Sequence, residues 1–340
     1  MKRNLLLITL AFAMIIGLIA IGCAEEEVPE EPDEAVEEIE EAPEITAETE
    51  FMTLASGSPG GVYFPLGAGL AKVITDGMED VVVQSESTGA SVENCRLVGS
   101  GQSDFAMVMG NVGYDAYMGQ NDFEDDAQPI RALFNMYPGA QKKLTAADSG
   151  INSIDDLVGH EVSVDAVGSG SEVMARAILQ TAGIWDDIDP VNLSMTEASD
   201  ALRDGLVDAV SINLAYPSSF VEELYATMDV KYIPYSDEFM DQAIAEYPFF
   251  FKSVIPADSH EGLDEDVPCL FVGNDIIVHE DMDEEFAYQV TKLLFEEQSI
   301  TELIGIHPQA ENMTLETGFE TGIPLHPGAE RFFREQGLIE

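Results

Sequence analysis

From residue 51 onward, short apolar runs alternate with stretches in which apolar residues recur at helical spacing. The short runs predict strands at residues 51–55, 81–84, 104–109, 130–136, 161–164, 191–193, 208–212 and 270–278. Helical spacing predicts helices at residues 66–78, 91–98, 171–182, 197–203 and 284–295. Regular alternation of strands and helices predicts an α/β protein whose parallel sheets are covered by helices.

The first 50 residues follow another pattern. Lys2 and Arg3 precede an apolar run at residues 5–21, which is the layout of a secretory signal peptide. Residues 20–23 (Ala-Ile-Gly-Cys) resemble the bacterial lipoprotein box, which implies cleavage after residue 22 and lipidation of Cys23. An uncleaved membrane anchor is the alternative. Both interpretations place the remaining chain outside the cytoplasmic membrane.

Acidic residues dominate the charge of the 340-residue chain, with 65 Asp and Glu against 14 Lys and Arg and a net charge of −51. Residues 23–50 combine the lipidated cysteine with a Pro-containing acidic stretch, predicted to be a disordered tether. Nucleic acid is excluded as a partner because phosphate contacts need basic residues. The acids are scattered and form no calcium-binding loop, which favours a solvated, halophilic type of surface over a cation-binding one.

Templates for catalysis are missing from the sequence. The five histidines are isolated, and no zinc, nucleophile-elbow or phosphate-loop motif occurs. We therefore expect no enzyme activity, no cofactor and no metal. Cys95 and Cys269 could form a disulfide in an exported protein, although two separately buried thiols are the preferred interpretation.

Two Gly/Ser loops that lead into helices are the positive signals for a binding site. Residues 56–61 read SGSPGG and residues 168–172 read GSGSE. Glycines allow close approach of backbone N–H groups, and a helix start offers unpaired donors to an anion. Ordinary helix entry is the alternative, since Ser169 and Glu172 can form a capping box and Ser91 can cap a helix. Tyr63 could line the site or belong to the core.

Several segments resemble the TAXI family of TRAP-transporter solute receptors. They include SGSPGGVYFPLG at 56–67, TGASVEN at 88–94, GSGSE at 168–172, DGLVDA at 204–209 and PLHPGAE at 324–330. The resemblance covers residues 51–337 with its segments in the family's order. It implies a type II periplasmic-binding-protein fold, with two α/β lobes joined by a two-strand hinge. Lobe 1 would comprise residues 51–143 and 266–340, and lobe 2 residues 144–265.

The same resemblance implies a monomeric receptor that captures a small organic anion, either a glutamate-like amino acid or a dicarboxylate, and delivers it to TRAP membrane subunits. A sensory binding protein that presents its ligand to a membrane kinase is the alternative. Asn213 and Tyr216 lie where the chain departs from the family pattern, so they could tune the ligand. The candidate ligand-binding residues are Ser56, Ser58, Gly60, Gly61, Tyr63, Thr88, Gly89, Ser91, Ser169, Gly170, Ser171, Asn213 and Tyr216.

Overall fold

The computed structural model describes residues 49–59, 61–216, 218–247 and 249–340. The predicted signal peptide, Cys23 and most of the tether lie outside these residues, as does Gly60 of the first Gly/Ser loop. Within the described ranges, no helix is both long and apolar enough to cross a membrane.

Ten strands form one mixed sheet across the described part of the chain, in the order β2-β1-β3-β10-β4-β7-β5-β6. Strand β8 adds to β4, and β9 adds to β10. The bounds are β1 (Glu50–Ala55), β2 (Val81–Glu86), β3 (Phe105–Met109), β4 (Ile130–Ala146), β5 (Glu161–Ser163), β6 (Asp189–Val191), β7 (Ala209–Leu214), β8 (Val230–Tyr232), β9 (Phe251–Ile255) and β10 (Val267–His279).

Helices connect the strands on both sides of the sheet's centre. They are α1 (Tyr63–Gly77), α2 (Ser91–Gly99), α3 (Gly110–Met118), α4 (Gly170–Thr181), α5 (Met195–Asp204), α6 (Ser219–Thr227), α7 (Asp237–Glu246), α8 (Glu284–Leu294), α9 (Glu297–Ile306), α10 (Leu315–Gly318) and α11 (Pro327–Glu335). The predicted helices at 91–98, 171–182, 197–203 and 284–295 agree with these bounds to within two residues at each end.

Two long antiparallel strands, β4 and β10, run through the middle of the sheet and join its two parallel parts. On one side β1, β2 and β3 are parallel, and on the other β5, β6 and β7 are parallel. The prediction of parallel sheets was therefore wrong at the centre, where β10 is antiparallel to β3, β4 is antiparallel to β7, and the two long strands are antiparallel to each other. The predicted strand at 130–136 was too short, because β4 continues through Pro138, which lies opposite Gly273.

Buried side chains divide into separate cores on the two sides of these central strands. One cluster is built mainly from residues 140–272. Two others draw mainly on residues 52–137 and 276–333. The predicted fold class is confirmed: this is an α/β protein with two lobes joined by two strands. Cys95 and Cys269 are both free and buried, each in a different core, so they do not form a disulfide.

Candidate functional site

A cavity of about 180 Å³, here called the interlobe cavity, lies between the two groups of parallel strands. Its wall contains the starts of four helices: Tyr63 of α1, Ser91 of α2, Gly170 of α4 and Met195 of α5. Two of these helices follow β1 and β2, and the other two follow β5 and β6. An engineered cavity of about 150 Å³ accommodates benzene, so this one suits a molecule of amino-acid size.

The first side of the cavity is formed by the loops after β1 and β2. Gly57 lets this loop approach α1 closely, because a Cβ at this position would lie only 3.2 Å from the Tyr63 Cβ. Asn94 ties the loop after β1 to strand β3 by donating to the backbone oxygens of Ser56 and Met107, each at 2.7 Å. The Thr88 hydroxyl donates to Asn94 Oδ1 at 2.6 Å. The backbone around the cavity is thus held in place by one buried amide side chain.

The second side is formed by the loops after β5 and β6. Ser169 caps α4, where its hydroxyl accepts the Glu172 N–H at 3.2 Å. Ser194 caps α5 in a complete capping box with Glu197. The Ser171 hydroxyl accepts the Asn213 N–H at 3.1 Å, which joins the start of α4 to β7. Capping side chains satisfy only part of each first turn, so unpaired N–H groups remain near the cavity.

The central strands supply the base of the cavity. The Tyr63 hydroxyl donates to Asn274 Oδ1 at 2.7 Å, and Asn274 Nδ2 donates to the Tyr137 carbonyl at 3.1 Å. Asn213 Nδ2 donates to the Gly139 carbonyl at 3.1 Å. Burial keeps the pKa of Tyr63 well above its ordinary value, so its hydroxyl stays protonated. Tyr63 therefore lines the cavity and also packs against the core, which combines both sequence interpretations.

Asp165 is the one charged side chain among the described residues that line the cavity, and no described Lys or Arg lines it. Asp165 is 7% exposed, and burial raises the pKa of its carboxyl above the ordinary value. Helix N-termini carry a partial positive charge. The interlobe cavity consequently combines four weakly positive helix ends with one buried carboxyl.

The two sides touch each other at the edges of the cavity. The Val92 N–H donates to the Gly168 carbonyl at 3.3 Å, and Gln309 Nε2 donates to the Tyr216 carbonyl at 2.8 Å. Asn111 Nδ2 reaches the Gly170 carbonyl at 3.5 Å. These bonds join segments on the two sides of the interlobe cavity, which is therefore enclosed from both sides.

The structure brings most of the sequence-predicted site residues together. Those that line the interlobe cavity are Ser58, Gly61, Tyr63, Thr88, Gly89, Ser91, Ser169, Gly170, Ser171 and Asn213. Ser56 does not line it: its hydroxyl is buried and donates to the Glu86 carbonyl at 2.7 Å. Tyr216 does not line it either, since its ring packs against Phe271. Ser91 is not the cap of α2, because Ala90 occupies that position and the Ser91 hydroxyl accepts the Met109 N–H at 3.1 Å.

Other wall residues were missed from the sequence. Asp165 and Ser194 follow β5 and β6 closely, and the strand-to-helix rule could have found them. Tyr137 and Asn274 lie inside long strands, where no local pattern distinguishes them. Met195 was missed because the predicted helix at 197–203 began two residues too late. Within the described ranges, no cluster of three His, Cys, Asp or Glu side chains is arranged to hold a metal ion.

Comparison with known proteins agrees with this architecture. The model of the NMT1-like family matches residues 54–337, so the chain belongs to the NMT1-like family. Similar solved structures include a Bordetella bronchiseptica RB50 protein (15% identity, 86% of this chain and 90% of that one, TM-score 0.51). A Xanthomonas citri protein bound to chloride ion has 12% identity, 84% and 95% coverage and a TM-score of 0.50.

The periplasmic aliphatic sulphonate binding protein SsuA from Escherichia coli is also similar, with 16% identity, 76% and 79% coverage and a TM-score of 0.45. The similarity to the Bordetella and Xanthomonas structures concerns the fold, which agrees with the two-lobed α/β architecture of this chain.

Proposed function

We propose that this protein is the extracytoplasmic solute receptor of a TRAP-type secondary transporter and belongs to the TAXI group of such receptors. Lobe 1 would comprise residues 51–143 and 266–340, and lobe 2 residues 144–265. The observation that carries the proposal is the convergence of four helix N-termini, two from each proposed lobe, on one small cavity. A ligand that contacts both lobes favours the closed arrangement over an open one.

The proposed ligand is a small organic anion whose carboxylate faces the helix starts. The proposed donors are the backbone N–H of Gly170 and the hydroxyls of Ser58, Ser91 and Ser169. Gly61 shapes the first loop, since its N–H donates to the Ser58 carbonyl at 3.0 Å. Thr88, Gly89, Ser171 and Asn213 complete that side of the pocket, and Tyr63 forms a wall. Such oriented donors bind an anion without a Lys or Arg partner, which suits the composition of this cavity.

Asp165 narrows the choice between the two ligand classes. A dicarboxylate would bring two negative charges next to a buried carboxyl, and like charges repel strongly where the dielectric constant is low. An amino acid brings one ammonium group that can pair with Asp165. We therefore propose that the ligand is a glutamate-like amino acid, with its ammonium group at Asp165 and its carboxylate at the helix starts.

The membrane tether and the transporter partner complete the proposal. Cys23, lipidated after removal of residues 1–22, would hold the protein at the outer face of the cytoplasmic membrane, and residues 24–50 would form the tether. The acidic surface, with its net charge of −51, is suited to high salt, where charge repulsion is screened over a few ångströms. Membrane vesicles that contain the TRAP subunits should take up labelled ligand when this receptor is added.

Isothermal titration calorimetry tests the ligand proposal directly. L-glutamate, L-glutamine, 2-oxoglutarate and succinate would each be titrated into the full-length protein in buffers with high salt. We expect the amino acids to bind at least tenfold more tightly than the diacids, because only they can neutralise Asp165. Binding of sugars, and of no acid in the panel, would refute the anion-receptor proposal.

Met195 is expected to limit the length of the ligand. An adjoining cavity of about 500 Å³, here called the outer cavity, shares five wall residues with the interlobe cavity. At this boundary the Met195 Cε lies 3.5 Å from where a Cβ on Gly61 would be. Met195→Ala should join the two spaces and increase affinity for longer homologues such as 2-aminopimelate about tenfold relative to glutamate.

Calorimetry with glutamate and 2-aminopimelate on the wild type, Met195→Ala and a control variant checks the expected change in affinity. Met118→Ala is the matched control, because Met118 is exposed at the end of α3 and does not line either cavity. An unchanged ratio of affinities in Met195→Ala would show that the ligand does not approach this boundary.

A further inference from the structure

A second cavity, here called the hinge cavity, lies on the opposite face of the two central strands and has a volume of about 510 Å³. Asn274 on β10 lines the interlobe cavity. The next residue, Asp275, is buried behind the wall of the hinge cavity: its Oδ2 accepts the N–H of the wall residue Gly322 and lies 3.6 Å from where a Cβ on the wall residue Gly110 would be. Gly110, Gly273 and Gly322 belong to this wall.

Asp275 is buried without a full set of hydrogen-bond donors. Its side chain is 1% exposed, and its Oδ2 accepts the Gly322 N–H at 3.3 Å. No described group donates to its Oδ1. Burial raises the pKa of Asp275 to about 7. A buried carboxylate oxygen with no partner is costly, so the arrangement calls for a positively charged or donating group.

Asn135, which lies opposite Asp275 on β4, also has a buried oxygen without a described hydrogen-bond donor. Asn135 pairs with Asp275 in the strand register, next to an irregularity that also involves Asn274. Its Nδ2 donates to the Glu320 carbonyl at 3.1 Å, so the amide is oriented with its oxygen free. Its Oδ1 is buried and has no donor among the described residues. Two oxygen acceptors therefore stand on facing strands, and irregular strand pairing of this kind often re-aims side chains at functional sites.

The surroundings are rich in oxygen and lack positive charge. Glu311 and Glu320 lie in the wall, together with the hydroxyl-bearing Thr314, Thr317 and Thr321, and no described Lys or Arg lines this cavity. Glycines permit the close backbone approach: a Cβ on Gly322 would lie 2.8 Å from the Gly110 carbonyl oxygen. Hard cations bind through carboxylate, amide and carbonyl oxygens, which are the groups present here.

We propose that Asp275 and Asn135 hold a monovalent metal cation between their unpartnered oxygens, at the wall of the hinge cavity. One buried carboxylate balances a single positive charge, whereas a divalent ion would leave one charge uncompensated at this depth. The ion would sit directly behind Asn274, which bonds Tyr63 in the interlobe cavity. The proposal is independent of the ligand proposed above, because it concerns the opposite face of the strands.

Thermal unfolding in Na⁺ tests the site without any solute ligand. The full-length protein would be heated in 0 to 0.5 M NaCl, with choline chloride added to keep the ionic strength constant. We expect Na⁺ to raise the Tm of the wild type by about 3–5 °C in a saturable way. Asp275→Asn should abolish this dependence, because the neutral amide cannot balance the ion. Asp104→Asn, which replaces a carboxylate outside the hinge cavity, should keep it.

A second variant keeps the proposal falsifiable if Asp275→Asn folds poorly. Asn135→Asp adds a second carboxylate to the same oxygen set and should convert the site to one that binds Ca²⁺. We expect the Tm of this variant to respond to millimolar Ca²⁺, whereas the wild type should not. An equal response of wild type and Asp275→Asn to Na⁺, or a wild type that responds to Ca²⁺ and not to Na⁺, would overturn the assignment. In the first case Asp275 would simply be a protonated acid bonded to Asn135.

Discussion

Asp165→Asn is expected to reverse the preference of the receptor between L-glutamate and 2-oxoglutarate. A hydrogen bond to a charged partner contributes about 1.5–3 kcal/mol, so loss of the ammonium–carboxylate pair should weaken glutamate binding about 10- to 100-fold. The same substitution removes a negative charge next to bound 2-oxoglutarate, so this diacid should bind several-fold more tightly. Calorimetry with both ligands on wild type and variant measures the two effects together.

Asp165→Asn should change ligand binding without changing the local fold. Asp165 has a φ of 74°, and Asn tolerates this left-handed conformation better than most residues do. The Asp165 Oδ1 accepts the Ala166 N–H at 2.8 Å, a bond that the Asn side-chain oxygen can keep. Asp115→Asn is the matched control, because Asp115 is also buried, at 6% exposed, but does not line the interlobe cavity. Equal losses for glutamate and 2-oxoglutarate would instead mean that Asp165 only orders its loop.

The parts of the site that could be predicted from the sequence are those with local causes. A Gly/Ser loop that enters a helix is specified by a few neighbouring residues, as at Ser169, where the predicted capping hydroxyl is found. In α/β folds the ends of parallel strands lie at one edge, so several such loops come together. That reasoning was sufficient to bring Ser58, Ser91 and Gly170 to one cavity.

The parts that were missed depend on pairing between distant segments. Tyr137 and Asn274 meet because β4 and β10 pair over most of their length, and nothing near either residue reveals this. Ser56 looked like a ligand donor, but its hydroxyl is used by the Glu86 carbonyl of the neighbouring strand. The predicted strand at 130–136 stopped before Pro138 and Gly139. Strand β4 continues because these residues pair with Gly273 and Val272 of β10.

A second large effect, on how stability depends on pH, is expected from two adjacent lysines on β4. Lys142 and Lys143 are each 1% exposed. Lys142 Nζ donates to the carbonyls of Leu214 and Ala215, which form part of the interlobe cavity wall, and Lys143 Nζ donates to the Tyr235 hydroxyl. Burial lowers the pKa of each lysine from 10.5 to about 7.

The sign of the pH dependence follows from these values. Between pH 7 and pH 10.5 the unfolded chain binds protons on both lysines that the folded protein has released. The free energy of unfolding therefore rises with pH in this window, by up to roughly 1.4 kcal/mol per pH unit for each lysine. The same stability is lost when the pH falls toward 7. Replacing both lysines by Met removes this contribution.

Urea denaturation of wild type and the Lys142→Met/Lys143→Met variant at pH 7, 8 and 9 measures the difference, with 1 M NaCl to screen the overall negative charge. We expect the wild type to gain about 2–4 kcal/mol relative to the variant between pH 7 and pH 9. The control, Lys231→Met/Lys292→Met, removes the same formal charge from less buried positions and should follow the wild-type slope. Parallel pH profiles for wild type and the Lys142/Lys143 variant would mean that both ammonium groups stay charged inside the fold. The carbonyls at the end of β7 and the Tyr235 ring would then compensate for the lost hydration, and Lys142 would be a permanent cation behind the interlobe cavity.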